Sequence, residues 1–202
     1  MSAPLKMAVF VSGVGRNLRA LIDSCGSGEL ASLASVAVVV SSRSQAPALE
    51  IAKKNGIDTF LYTKDIDCSR LLAELRGRGI ELIALAGYLK LVEPELVREF
   101  SGRIVNIHPA LLPKYGGKGM YGLHVHRAAL DSGDRESGAT VHLVDERYDT
   151  GRILAQEKVC VLSEDTPEAL EERIIEVEKK LYPRTLAEYI TNSLQVDENR
   201  SR

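Results

Sequence analysis

Asn106 and His108 stand one residue apart at the end of an apolar run, Gly102 to Ile107, in the segment Asn106-Ile107-His108-Pro109. Residues i and i+2 of a strand share a face, so an amide and an imidazole can aim at one point. Together they are the parts of an oxyanion site, where hydrogen-bond donors meet a developing negative charge. Pro109 fixes the direction in which the chain leaves. Asp149 is the second cue, in Asp145-Glu146-Arg147-Tyr148-Asp149-Thr150-Gly151. A carboxylate beside His108 would raise the imidazole pKa and orient the ring. Taken singly, His108 also reads as a structural histidine, and Asp149 as a turn residue before glycine.

A second cluster lies near the N-terminus. Ser12-Gly13-Val14-Gly15-Arg16-Asn17-Leu18 follows an apolar run and precedes a helical pattern. Glycines let the backbone approach a ligand, and a helix N-terminus offers free N–H donors to a phosphate. Arg16 adds a positive charge. The dinucleotide fingerprint fails at its sixth position, where Leu18 stands, and no Gly-Lys-Ser/Thr follows as a P-loop requires. A phosphate, a dinucleotide and a turn without a ligand all remain readings of this segment.

The remaining candidates carry less. His124 and His126 could suggest a metal but lack an obvious third His or Cys ligand, so no metal is expected and the pair reads as a helix entry or part of a substrate loop. His142 lies in a strand pattern and reads as core or as support for another side chain. Cys160, between Val159 and Val161, reads as a small buried residue.

These residues need elements to position them. Leu5 to Ser12, Ser35 to Val40, Asp58 to Tyr62, Ile80 to Ala86 and Gly102 to Ile107 are short apolar runs of the kind buried on both faces of a parallel sheet. Helical patterns at Asn17 to Cys25, Pro47 to Asn55, Ser69 to Arg78 and Pro94 to Phe100 alternate with them. That alternation predicts an α/β fold, a Rossmann-like open sheet with helices on both faces. His108 to Gly122 holds four glycines and two prolines and reads as a loop. Ala139 to Val144 and Arg152 to Val161 read as two strands forming an antiparallel extension of the mostly parallel sheet. Thr166-Pro167 opens a long helix that Pro183 should break or kink.

Bulk properties set the outer limits. The chain has 202 residues, enough for one core, and 45% hydrophobic residues, which argues against general disorder. Lys plus Arg number 26 and Asp plus Glu 28, giving a formal net charge of −2. That balance disfavours a nucleic-acid or anionic-membrane partner. Three scattered cysteines and the lack of a signal-peptide pattern point to the cytoplasm. A single domain over 1–192 with a polar tail over 193–202 is expected. The prevalence of twofold assemblies makes a homodimer the default expectation.

The motifs taken in order resemble those of a known family. Ser12 to Leu18, Leu85-Ala86-Gly87-Tyr88-Leu89-Lys90, Asn106 to Tyr115 (NIHPALLPKY), and Gly138-Ala139-Thr140-Val141-His142 followed by Asp149 are similar to the phosphoribosylglycinamide formyltransferases. The resemblance covers roughly residues 5 to 190, a whole domain. It implies transfer of a formyl group from 10-formyltetrahydrofolate to the amine of glycinamide ribonucleotide in purine synthesis, with no metal. It assigns catalysis to Asn106, His108 and Asp149. It gives the ribonucleotide to Gly15, Arg16, Asn17 and Glu178, and the folate to Leu89, Lys90, Leu91, Val92 and Asn106. Lys64 and Arg70 are candidates for the folate glutamate tail. The Gly116 to Gly122 loop reads as a lid or as a tolerated insertion. A transferase acting on initiator methionyl-tRNA, a folate deformylase or a sugar-nucleotide formyltransferase are the neighbouring activities, and a non-catalytic nucleotide-binding regulator is the distant one.

Overall fold

The computed structural model describes residues 3–194. Seven strands form one sheet: β1 Leu5–Val11, β2 Ala34–Ser41, β3 Asp58–Leu61, β4 Leu82–Leu85, β5 Ile104–His108, β6 Glu136–Leu143 and β7 Ile153–Cys160. Six α-helices connect them: α1 Arg16–Ser27, α2 Ala48–Lys54, α3 Cys68–Gly77, α4 Pro94–Glu99, α5 Leu123–Asp131 and α6 Pro167–Tyr189. The spatial order is β3-β2-β1-β4-β5-β6-β7. The first five strands run parallel, and β6 and β7 run antiparallel to their neighbours. The expected fold class holds, and each of the seven strand candidates is present within a few residues of its expected bounds.

Alternation along β1 shows how the two faces are filled. Met7, Val9 and Val11 face one core with Leu18 and Leu21 of α1 and Leu170, Ile174 and Leu186 of α6. Ala8 and Phe10 face the other with Leu71 and Leu75 of α3 and Leu96 of α4. Each face needs its own helices because a central parallel strand is apolar on both sides.

Three expectations need correction. Pro183 does not break α6, which contains it and runs on to Tyr189. A proline there removes a helical hydrogen bond, at about 3 kcal/mol. Tyr182, Pro183 and Leu186 are all buried, and at roughly 2 kcal/mol for each large apolar side chain their packing outweighs that cost. The Tyr182 hydroxyl also reaches the Leu85 and Val105 carbonyls at 3.1 and 2.9 Å. Cys160 is exposed, because β7 is an edge strand whose alternate residues face solvent and Cys160 has the outward phase. Residues 193 and 194 belong to a π-helical turn, Ile190–Leu194, that continues α6, and the rest of the expected tail, 195–202, lies outside the described residues. Helix α5 was not foreseen as a separate element. No helix among the described residues is long and apolar enough to cross a membrane.

Candidate active site

Strand β1 lies between β2 and β4, so chain order reverses at that point of the sheet. A crevice opens there at the carboxyl ends of the strands, as in other open α/β sheets. It is a cavity of about 600 Å³. Ser12 to Asn17 after β1 and Ala86 to Leu89 after β4 form two walls, and Asn106 to Pro109 at the end of β5 lie between them. Gly117 to Gly122, His126, Tyr148 and Asp149 close one side. Glu171, Ile174, Ile175 and Glu178 of α6 close another.

The glycine turn is built for close approach. Gly15 has φ +86°, and a Cβ there would lie 2.8 Å from Ala48 Cβ and 3.0 Å from Ala48 Cα. The turn is tied down by Ser12, whose hydroxyl meets Ser42 Oγ at 2.6 Å and accepts from Leu89 N at 3.1 Å. Arg16 is exposed, with Nη1 3.9 Å from Glu171 Oε1. Asn17 Nδ2 donates to Glu178 Oε2 at 2.9 Å, while Asn17 Oδ1 is buried with no protein partner. Glu178 is only 6% exposed. Burial pushes its carboxyl up to about 7, against the opposing pull of the Asn17 hydrogen bond, and Glu171 pushes it further while Arg16 draws it back.

Strand register assembles the other end. Asn106 pairs with His142 and His108 with Thr140 across β5 and β6. Directly paired residues share a face, so all four side chains stand on one side of the sheet. His142 Nδ1 donates to the Leu143 carbonyl at 2.8 Å, which leaves Nε2 as an acceptor for Asn106 Nδ2 at 3.0 Å. One N–H of the Asn106 amide is thereby held and the other is free. Asp149 Oδ1 lies 3.7 Å from His108 Nδ1 and 3.6 Å from His142 Nε2, and its Oδ2 accepts from Gly117 N at 2.8 Å. Asp149 itself has φ +55°, a left-handed conformation that aspartate adopts more readily than most residues other than glycine.

The titration of this group differs from the expectation for His108. Burial holds the imidazole below its ordinary 6.5, although Asp149 and the Tyr115 carbonyl pull it upward and His142 downward. Desolvation of the charged ring outweighs the carboxylate because His108 is only 4% exposed and Asp149 is beyond hydrogen-bond distance. For Asp149 burial is the largest influence and pushes upward. The combined pull of His142, His108 and the Gly117 N–H nevertheless holds it below its ordinary value. At neutral pH the resting pair is a neutral imidazole facing a carboxylate.

Asn106, His108, Asp149, Gly15, Arg16, Asn17, Glu178 and Leu89 all line the cavity. Lys90, Leu91 and Val92 do not. The Lys90 ammonium turns to the Tyr62 carbonyl at 3.1 Å, Leu91 is exposed, and Val92 is buried in the α3–α4 core. Lys64 and Arg70 are exposed away from the cavity. Residues 117 to 122 line it, so their loop is part of the site's wall. Sequence reasoning did not assign Tyr148 or Glu171 to this wall, gave His126 only a helix-entry or substrate-loop reading, and left His142 undecided. Only the β5–β6 register, which no local motif encodes, brings His142 to Asn106. The i, i+7 spacing of Glu171 and Glu178 could have placed both on one face of the last helix.

Comparisons with known proteins place the chain in a family. The "Formyl transferase" family model matches residues 5–186. The chain is 47% identical over 184 residues to a phosphoribosylglycinamide formyltransferase, chloroplastic, of Arabidopsis thaliana, covering 88% of this chain and 62% of that protein. A second plant relative, from Vigna unguiculata, is spanned over 58% of its length, so the chain spans about three fifths of these plant proteins. It is 37% identical to the phosphoribosylglycinamide formyltransferase of Haemophilus influenzae, over 96% of this chain and 91% of that one. The crystal structure of glycinamide ribonucleotide transformylase 1 from Geobacillus kaustophilus superposes with a TM-score of 0.84 at 41% identity, covering 93% of this chain and 99% of that one. With a family model matched over nearly its whole described length, this chain belongs to the formyl transferase family.

Proposed function

We propose that this protein transfers the formyl group of 10-formyltetrahydrofolate to the primary amine of glycinamide ribonucleotide, the formylation step of de novo purine synthesis. One observation carries the reading. A single cavity joins an amide, an imidazole and a carboxylate at one end to a glycine-rich helix start with a buried acid at the other. A formyl acceptor that bears a phosphate fits both ends. Relatives of this chain are named phosphoribosylglycinamide formyltransferase, which supports the same reaction. The folate is a co-substrate in this reading, and the chemistry calls for no metal. The reading treats residues 1–192 as a single catalytic domain.

In this reaction the amine nitrogen bonds to the formyl carbon, the bond from that carbon to the folate nitrogen breaks, and one proton passes from the incoming to the leaving nitrogen. The free N–H of Asn106 would stabilise the oxyanion of the tetrahedral adduct. His108 Nδ1 and Asp149 would receive the amine proton between them and return it to the leaving nitrogen, directly or through water. A neutral resting His108 suits this role, because it must first accept a proton. Gly15 N–H, Arg16 and the α1 N-terminus would hold the phosphate. Glu178 and Asn17 would meet the ribose or glycinamide part. Of the residues expected to meet the folate, Leu89 and Asn106 line the cavity and would do so.

The test is absorbance-monitored loss of formyl from 10-formyl-5,8-dideazafolate by the purified protein, with and without glycinamide ribonucleotide. Turnover should require the ribonucleotide, and His108→Ala should lower it by about 10²–10⁴-fold with the fold intact. Ribonucleotide-independent loss would mark a hydrolase. No turnover by folded protein would refute the substrate pair.

A further inference from the structure

His108 raises a question that the catalytic reading leaves open. A neutral imidazole beside a carboxylate ordinarily places its proton on the nitrogen facing that carboxylate. Here Nδ1 faces Asp149, yet Nε2 lies 2.8 Å from the Tyr115 carbonyl, which can only accept. The Tyr115 peptide therefore holds the proton on Nε2. That leaves a bare lone pair on Nδ1, opposite a carboxylate 3.7 Å away. Two acceptors face one another across a gap, which is the arrangement that takes up a proton from an incoming amine.

Tyr115 reaches this position at a cost. Its φ is +57°, in the left-handed region that a bulky side chain rarely occupies. Something must hold it there. The Tyr115 hydroxyl donates to Asp134 Oδ2 at 2.8 Å and also meets Ser132 Oγ. Lys114 Nζ neutralises the same carboxylate at 2.9 and 3.0 Å. Asp134 and Ser132 belong to the turn between α5 and β6, outside the cavity. The ring is thus tied at its far end, and the backbone carbonyl is aimed at its near end.

We infer that Tyr115 and Asp134 are positioning residues that fix the tautomer of His108: the Tyr115 hydroxyl, tied to Asp134, holds the strained Tyr115 peptide so that its carbonyl keeps the imidazole proton on Nε2 and leaves Nδ1 free to take the substrate's proton. The kinetic part of this inference rests on the formyl-transfer reading. The tautomer part does not.

The experiment uses the full chain labelled with ¹⁵N-histidine. Long-range ¹H–¹⁵N correlation at neutral pH reports which ring nitrogen of His108 carries the proton, and His108→Ala identifies its signals. The wild type should show the Nε2-protonated form. Tyr115→Phe should admit the Nδ1-protonated form, and kcat should fall about 10-fold with KM for both substrates within about twofold, the pattern of a misplaced proton acceptor. Asp134→Ala, which keeps the tyrosine, should do the same and replaces the first variant if that one fails to fold. A wild-type tautomer in folded Tyr115→Phe or Asp134→Ala, or a shifted tautomer with unchanged kcat, would overturn the inference. A wild type that shows the Nε2-protonated form but never turns over would overturn the transfer reading instead, and the tautomer of the variants would still decide the role of Tyr115.

Discussion

Glu178→Gln should stabilise the ligand-free protein at alkaline pH while weakening its hold on the ribonucleotide. The carboxyl is 6% exposed, and burial raises it from the ordinary 4.5 to about 7. Between those two values the folded chain keeps a proton that the unfolded chain has released. Stability therefore falls as pH rises from about 4.5 to about 7, and is level above. The whole difference amounts to about 3 kcal/mol. Glutamine carries no charge at any pH, and its carbonyl can still accept from Asn17 Nδ2, which donates to Glu178 at 2.9 Å. Urea unfolding of both proteins at pH 5 and pH 8 isolates the effect. The variant should gain under about 1 kcal/mol over the wild type at pH 5 and about 3 kcal/mol at pH 8. In the same preparation, KM for glycinamide ribonucleotide should rise about 10-fold, the loss of one charged hydrogen bond. A stability difference independent of pH would show that Glu178 is not a strained buried acid. An unchanged KM would remove it from the acceptor site.

Three further perturbations address other parts of the cavity. Burial holds His126 down at about 4, so acidifying from 6.5 to 4 should cost the wild type about 3 kcal/mol through this residue, and His126→Gln should remove that slope from the pH dependence of urea unfolding. Persistence of the full slope would refute the assignment. Gly15→Ala puts a methyl 2.8 Å from Ala48 Cβ at φ +86° and should lower stability by about 1–3 kcal/mol, measured by thermal unfolding; a neutral change would show that α2 yields freely. Arg16→Ala should raise the ribonucleotide Kd by about 10-fold in low salt and by less at 0.5 M salt, measured by calorimetry. Equal losses at both salt concentrations would place Arg16 away from the phosphate.

Much of this was legible in the chain because it is written in local chemistry. The apolar runs of β1, β2, β4 and β5 announce a sheet buried on both faces, and apolar–polar alternation is absent from them for the same reason. The glycines at 13 and 15 mark a strand-to-helix turn. Asn106 and His108 share a face by strand periodicity alone. What stayed hidden is long-range. The pairing of Asn106 with His142 is a fact of register between strands 36 residues apart. The downward titration of His108 depends on how completely helices and loops cover it, which composition does not encode. The survival of α6 across Pro183 is likewise a tertiary outcome, in which packing against the sheet overrides a local rule. Cys160 was misread because an edge strand and a buried strand share the same β-branched neighbours.

The Asn17–Glu178 contact joins the first helix of the chain to the last. Its two partners are separated by 161 positions, and every described strand except β1 is synthesised between them. A polypeptide growing from its N-terminus therefore presents the glycine turn long before the acid that faces it exists. Domains organise as units during translation, with earlier segments first. In this molecule the cavity wall made by Glu171, Ile174, Ile175 and Glu178 arrives with α6, after all seven described strands have been made.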